Sequence, residues 1–395
     1  MDLSAQLDRV LRRATEAGEI PGVVAAVATH REVIYHGAFG KLDMSKPRPV
    51  AIDSVFWIES LTKAITAMAA MQLVEQGRLS LDGPIAKVLP ELCEPEVLQG
   101  FTADGSPKLR PAKHPITLRQ LLTHTAGFCC DIFNGEMATY LEKTGTPGIM
   151  SCRQAALKVP IVTDPGTRWE YGIGTDFVGL AVEAVSGKRL DAYFRDNIFR
   201  PLAMSDTAFK ISDAMRTRLA NMHARSPDGS PIPITFEIDQ QPEVCLGGGG
   251  LYGTALDYTA FIQTILNKGR GNGRQLLKPE TVELMGQNHI GDLCMPKMTT
   301  AAPFLSNDLD LYPDIPKKWG LGFMINTVKT PEGRSAGSMA WAGLANSYYW
   351  IDPIRGVAGV MMMQLLPFAD QKCLETFAAF ERDVYASLDG TRRMA

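Results

Sequence analysis

A serine and a lysine stand three residues apart in the stretch Phe56-Trp57-Ile58-Glu59-Ser60-Leu61-Thr62-Lys63-Ala64-Ile65, at the head of an otherwise apolar run. On a helix, residues i and i+3 share a face closely enough for their side chains to touch. Ser60 in a first turn would therefore have Lys63 beside its hydroxyl. The partial positive charge of a helix N-terminus favours an alkoxide there. Desolvation among Trp57, Ile58, Ala64 and Ile65 penalises an ammonium and lowers its pKa, so a neutral Lys63 could take the Ser60 proton. This is nucleophile activation without histidine. The spacing alone is weak, since Ser-x-x-Lys arises by chance about once in a chain of this length. The stronger signal is a lysine inside a strongly apolar segment, because lysine is almost never buried unpartnered.

A second serine competes. Gly333-Arg334-Ser335-Ala336-Gly337 matches Gly-x-Ser-x-Gly, a nucleophile elbow that requires a strand before it and a helix after. Here more strand pattern follows, and "TPEGRSAGS" is rich in turn formers, so Ser335 reads as a hairpin-loop residue. Gly247–Gly250 lacks the strand-to-helix setting and downstream acid of a dinucleotide site and reads as close backbone packing. The six histidines show no metal-ligand spacing.

Larger blocks then carry a resemblance. "ESLTKAITAMAAMQLVEQGRLSLDGPIAKVLPEL" resembles the nucleophile-helix region of class C β-lactamases and their penicillin-recognising esterase relatives, the family VIII carboxylesterases, whose signature is Ser-x-x-Lys. "ITLRQLLTHTAGF" (116–128), the segment 164–209 and "GGGGLYGTALDYTAF" (247–261) are similar to further family blocks, in the same order along nearly the whole chain. The resemblance implies a serine hydrolase in which Tyr171, in the third block, shares proton transfer with Lys63. It implies an oxyanion hole from the N–H groups of Ser60 and Leu344, each such donor contributing roughly 2.7–4 kcal/mol. "MAWAGLANSYYWIDP" (339–353) stands where the family has its Lys-Thr-Gly strand or an esterase equivalent, which puts Trp341 and Gly343 beside the substrate. His124 and Phe128, from the second block, join that substrate-binding set, although His124 itself reads as a hydrogen-bonded core histidine rather than a base. The family's tyrosine is often followed two residues later by asparagine; here the residue is Ile173. An isoleucine there and a neutral indole at Trp341 favour uncharged esters over β-lactams.

The elements that must position these residues follow from periodicity. A first helix over about 2–17 ends at Gly18, and "GVVAAVAT" (22–29) with "VIYHGAFG" (33–40) reads as a hairpin. From Ser60 to Gly77 the chain is rich in helix formers and apolar on nearly all sides, which predicts a central, buried helix. Thr117-Leu-Arg-Gln and Thr254-Ala-Leu-Asp are helix-start signatures, and 175–186 is an amphipathic helix ending at Gly187. Residues 96–115 and 223–243 read as loops. Strand signals return at 319–328, 338–343, 346–352 and 356–364, before a last helix at about 368–387. The class predicted is α+β and β-lactamase-like: an antiparallel sheet built from both chain ends and flanked by helices. Residues 1–80 and 246–395 form the part with the sheet and nucleophile helix, and 81–245 a mostly helical part carrying the tyrosine loop.

The 395 residues are 45% hydrophobic and 21% charged, an ordinary globular composition. Forty basic against forty-three acidic residues give a net charge of −3, which offers no reason to bind nucleic acid or an anionic membrane. The N-terminus lacks the apolar core of a signal peptide, and no apolar run reaches membrane-spanning length. Seven scattered cysteines without Cys-x-x-Cys point to reduced thiols and a cytoplasmic setting. The expectation is a cofactor-free, metal-free serine carboxylesterase acting on a small-molecule ester of short to medium chain, with homo-oligomerisation left open. Amide hydrolysis (β-lactamase or D-amino-acid peptidase), acyl transfer to an alcohol, and a non-catalytic binding module on the same fold are the alternatives.

Overall fold

The computed structural model describes residues 3–394. Its frame is an eight-stranded, wholly antiparallel sheet in the order Lys317–Trp319, Met324–Asn326, Met339–Gly343, Ser347–Asp352, Val357–Met362, Gly22–Thr29, Val33–Asp43, Arg48–Pro49. The central ladder pairs Gly22–Thr29 with Val357–Met362, joining the two ends of the chain. Both strands are Val-, Ala- and Met-rich and buried almost throughout, as a strand covered on both faces must be.

Strand alternation decides which residues meet the site. Tyr348 and Trp350 point to one face and pack on Phe377 and Phe380 of the terminal helix Gln371–Met394. Tyr349 points to the other face, where Tyr258 of the helix Ala255–Leu266 meets it. Trp341 pairs with Tyr349 across the ladder and therefore shares that second face.

The predicted central helix exists as a 3₁₀ turn, Glu59–Leu61, running into the α-helix Thr62–Glu75. Every residue from Thr62 to Leu73 is buried, and Gly77 takes the left-handed conformation (φ 69°) that ends the helix. The helix Gly174–Ser186 packs on it and stops at left-handed Gly187. Thr117 makes the full reciprocal capping box with Gln120, and Thr254 caps its helix by accepting from the Asp257 N–H.

Three expectations need correction. Residues 96–115 contain a hairpin, Glu96–Phe101 with Pro107–Pro111, whose turn formers masked the strands. Within 223–243, His223–Arg225 pairs with Pro231–Pro233. The stretch 319–328 is not one strand: the chain turns at Gly320–Gly322, where Gly322 has φ 97°. The strands Lys317–Trp319 and Met324–Asn326 pair across that turn.

Candidate active site

The short strand Phe56–Trp57 pairs with Tyr252–Gly253, which brings the Gly247–Leu251 segment alongside the start of the central helix. Ile58 N–H donates to the Leu251 carbonyl (2.9 Å), Leu251 N–H to Thr62 Oγ1 (3.2 Å) and Thr66 Oγ1 to the Gly247 carbonyl (2.6 Å). A Cβ on Gly247 would lie 2.8 Å from the Thr175 carbonyl and one on Gly248 2.7 Å from the Asp176 carboxylate, whereas Gly249 has room for one. The glycine run is thus close backbone packing against the helix.

At the head of this helix, Lys63 Nζ lies 3.1 Å from Ser60 Oγ and donates to the Gly248 carbonyl at 2.6 Å. The Tyr171 phenol is 2.8 Å from the same Ser60 Oγ. Trp341 Nε1 donates to the phenol oxygen at 3.2 Å. Lys63 is buried, as its helix predicted, but its head meets oxygen rather than hydrocarbon. The polar neighbours come from the glycine segment and from Asp176, which the local sequence around Lys63 does not show.

The tyrosine loop is held by short-range bonds and rings. Cys130 N–H donates to the Tyr171 carbonyl (3.1 Å), and Glu170 N–H to the His124 carbonyl (2.8 Å). The Tyr171 ring centroid is 4.7 Å from His124 and 5.1 Å from Trp341, with Phe133 and Trp169 beyond. His124 Nδ1 accepts from the Gly172 N–H, and burial, with Lys63 nearby, holds the imidazole well below its usual pKa. A neutral ring fixed by that bond supports the loop and is not a base for Ser60.

Two buried carboxyl groups flank the lysine. Asp176 accepts the Gly248 N–H at 2.8 Å, so it orients the peptide whose carbonyl holds Lys63. Burial raises its pKa, opposed by Lys63 and the Gly248 bond. Glu59, immediately before Ser60, has φ 51°, a left-handed backbone for a residue with a Cβ. Such a conformation costs on the order of 1–3 kcal/mol. Its carboxyl oxygens accept the Ala345 N–H at 2.7 and 2.8 Å, and burial pushes the carboxyl well above the usual range against the pull of that N–H and Lys63.

A pocket of about 90 Å³ opens over Ser60, walled by Trp57, Ile132, Phe133, Met150, Ile173, Leu246 and Leu344. Ile173 and Leu344 both line this pocket. Trp341 and Gly343 stand behind this lining: Trp341 supports the phenol, and Gly343 leaves room for the Ile58 carbonyl, which a Cβ would approach to 2.9 Å. Neither His124 nor Phe128 reaches the pocket. Phe128 stacks on Phe177 (4.4 Å) and faces a separate groove with Leu92, Leu109 and Leu157, so its assignment to the substrate is corrected. Ser335 sits in the turn before Met339–Gly343. Its N–H donates to Asp352 and its carbonyl accepts from Asn326 and Ser338 Oγ, and among the described residues no base bonds its hydroxyl.

The sequence reading missed Glu59 and Asp176. A glutamate inside an apolar run directly before the serine was the available signal for the first. The apolar wall at 132–150 gave none, because it comes from irregular segments. Among the described residues no group of three or more His, Cys, Asp or Glu is placed to hold a metal, no helix is long and apolar enough to cross a membrane, and all seven cysteines are unpaired.

The profile of the Beta-lactamase family matches residues 7–382. The chain belongs to the beta-lactamase family. Within it, a lovastatin esterase from Penicillium rubens is 30% identical over 395 residues, covering 96% of this chain and 98% of the esterase. Monacolin J acid methylbutanoyltransferase from Aspergillus terreus is 30% identical over 402 residues, covering 96% and 95%. A mutant of simvastatin synthase (LovD) from Aspergillus terreus superposes with a TM-score of 0.83 at 30% identity, over 98% of this chain and 99% of that one. This family member is a serine hydrolase or acyltransferase of the β-lactamase-like type.

Proposed function

We propose that the protein is a carboxylic-ester hydrolase that works through an acyl-enzyme on Ser60. The observation that carries this is the convergence of Lys63 Nζ and Tyr171 OH on Ser60 Oγ beneath an apolar pocket. Ser60 Oγ attacks the ester carbonyl carbon and its proton passes into the Lys63–Tyr171 pair. The N–H groups of Ser60 and Leu344 receive the oxyanion. Tyr171 returns the proton to the departing alkoxide, and water, activated by the same pair, then cleaves the acyl-enzyme.

Among the described residues Lys63 is the one basic side chain lining the pocket, and its amine is already bonded to Ser60 and Gly248, which leaves no free basic group there for a substrate carboxylate. Uncharged esters fit. A 150 Å³ apolar cavity takes benzene, so about 90 Å³ suits a short acyl chain of a few carbons. Ester hydrolysis by the lovastatin esterase, 30% identical, supports the same bond type. The test is Ser60→Ala with p-nitrophenyl butyrate and intact-mass spectrometry after a slow ester. Loss of turnover and acylation mapping to Ser60 are expected; full turnover in the variant would overturn the reading, as would a label on Ser335.

A second reading, transfer of the acyl group to an alcohol, is favoured by the methylbutanoyltransferase at equal identity. It predicts that an added alcohol diverts acyl-enzyme into new ester at a concentration far below that of water. A product ratio that merely follows the bulk concentrations of the two acceptors rules it out. β-Lactam hydrolysis is disfavoured by Ile173, which offers no amide to the substrate, and a chromogenic cephalosporin should turn over far more slowly than the ester.

A further inference from the structure

The strand-to-turn segment after Gly343 has to present the Leu344 N–H to the reacting carbonyl, and a hairpin turn is a poor platform for a fixed donor. Its far side is well anchored: Asn346 is left-handed (φ 65°), and its amide donates to the carbonyls of Leu365 and Pro367. Its near side has one side-chain anchor, Glu59, whose two carboxyl oxygens both take the Ala345 N–H. Leu344 donates its own N–H to no group among the described residues. Glu59 is 2% exposed and is the residue before the nucleophile. Its backbone is left-handed, its carboxyl reaches the Ala345 N–H, and the next residue, Ser60, lines the pocket.

We infer that Glu59 is a positioning residue for the oxyanion site: its carboxyl ties the turn bearing Ser60 to the Leu344–Ala345 peptide and so fixes the angle between the two N–H donors. The inference rests on the Ser60 acyl-enzyme reading. Strain held at one residue, a buried acid and a contact bridging the two donor segments coincide here, and a purely structural glutamate requires none of these together. Among the described residues the carboxyl makes hydrogen bonds only as an acceptor, and burial raises its pKa. A glutamine, which keeps a neutral carbonyl acceptor at the same reach, should therefore replace it.

The experiment uses the full chain with Glu59→Ala, Glu59→Gly and Glu59→Gln, and Ser60→Ala alongside. Turnover of p-nitrophenyl butyrate, inhibition by an alkyl boronic acid that mimics the tetrahedral intermediate, and circular dichroism are measured on each. Misplacing a donor should lower kcat about ten- to hundred-fold in the alanine and glycine variants. KM should change little, the boronate Ki should rise in proportion, and glutamine should recover kcat to within about threefold. Glycine adopts the left-handed backbone without strain, so it removes the carboxyl without penalising the turn and decides the matter if the alanine variant fails to fold. The inference is overturned if either folded variant keeps its kcat and boronate affinity, if kcat falls without a change in boronate Ki, or if folded Glu59→Gln is as impaired as glycine. An active Ser60→Ala would sink the underlying site; an inactive Ser60→Ala with fully active Glu59 variants would sink only this role.

Discussion

The hydroxyl of Ser60 meets two different partners, and they should be separable. Tyr171 touches the reacting oxygen and stands where a leaving alkoxide would collect a proton, so Tyr171→Phe should lose about 10²–10⁴ in kcat with little change in KM. Trp341 touches only the phenol, through one N–H at 3.2 Å. A single hydrogen bond of this kind is worth on the order of 0.5–1.5 kcal/mol net, which limits Trp341→Phe to a fall of roughly tenfold or less. Steady-state kinetics on both variants checks this ordering; a Trp341→Phe loss as deep as that of Tyr171→Phe would mean that the indole acts on substrate directly, as the resemblance first implied. The serine and lysine were legible because an i, i+3 pair in an apolar helix has few innocent explanations. Tyr171 was legible only through its surrounding block, since nothing in a lone tyrosine announces a contact 111 residues away. Asp176 was illegible for a related reason, since it acts on a backbone N–H and backbone partners leave no mark in a sequence; Glu59 acts on one too, and only its place in an apolar run directly before the serine marks it.

At the scale of elements, periodicity was a good guide where one face of a segment is buried and a poor one where turn formers dominate. The central helix and the first hairpin follow from composition alone. The 96–111 hairpin did not, because its Gly and Pro content is that of a loop, and its pairing is a fact about two segments rather than either one. The helix starting at Ala255 shows a further element-level device. Its third residue, Asp257, accepts from Asp206 N–H and Thr207 Oγ1, both at 2.8 Å, and so docks a neighbouring turn on the helix start. Burial raises the Asp257 pKa to about 6, against the pull of those bonds. A folded-state pKa above the unfolded one means that the folded chain holds a proton the unfolded chain has released. This contribution to stability is complete below the ordinary aspartate pKa and is lost as pH rises through about 6. Asp257→Asn lacks that slope. Urea denaturation at about pH 4 and pH 7 should therefore show the variant gaining on the parent by on the order of 2 kcal/mol at the higher pH. A difference that stays constant with pH would show that the carboxyl is not perturbed.

At the scale of the molecule, a sheet assembled from both ends of the chain must be closed by whatever the last residues supply. The terminal helix does this through Phe377 and Phe380, and through one fully buried ion pair, Arg334–Glu381, with both hydrogen bonds at 2.6 Å. Arg334 belongs to the turn that carries Ser335, so the motif resembling a nucleophile elbow is in fact an anchoring point for the C-terminal helix. The guanidinium lies near the rings of Trp350 and Phe377, on the sheet face turned away from Trp341 and Tyr349. Removing one partner leaves a buried charge uncompensated, so Arg334→Ala should cost about 3–5 kcal/mol. Replacing the pair together with Arg334→Met and Glu381→Leu removes both desolvation terms and should cost far less, or stabilise. Denaturant unfolding of the single and double variants tests this, with ester turnover measured well below each transition. Because the pair holds the opposite face of the sheet from the pocket, kcat in the folded fraction should match the parent in both. A double variant as unstable as the single would show that Arg334 stabilises through packing on the aromatic rings, not through its charge.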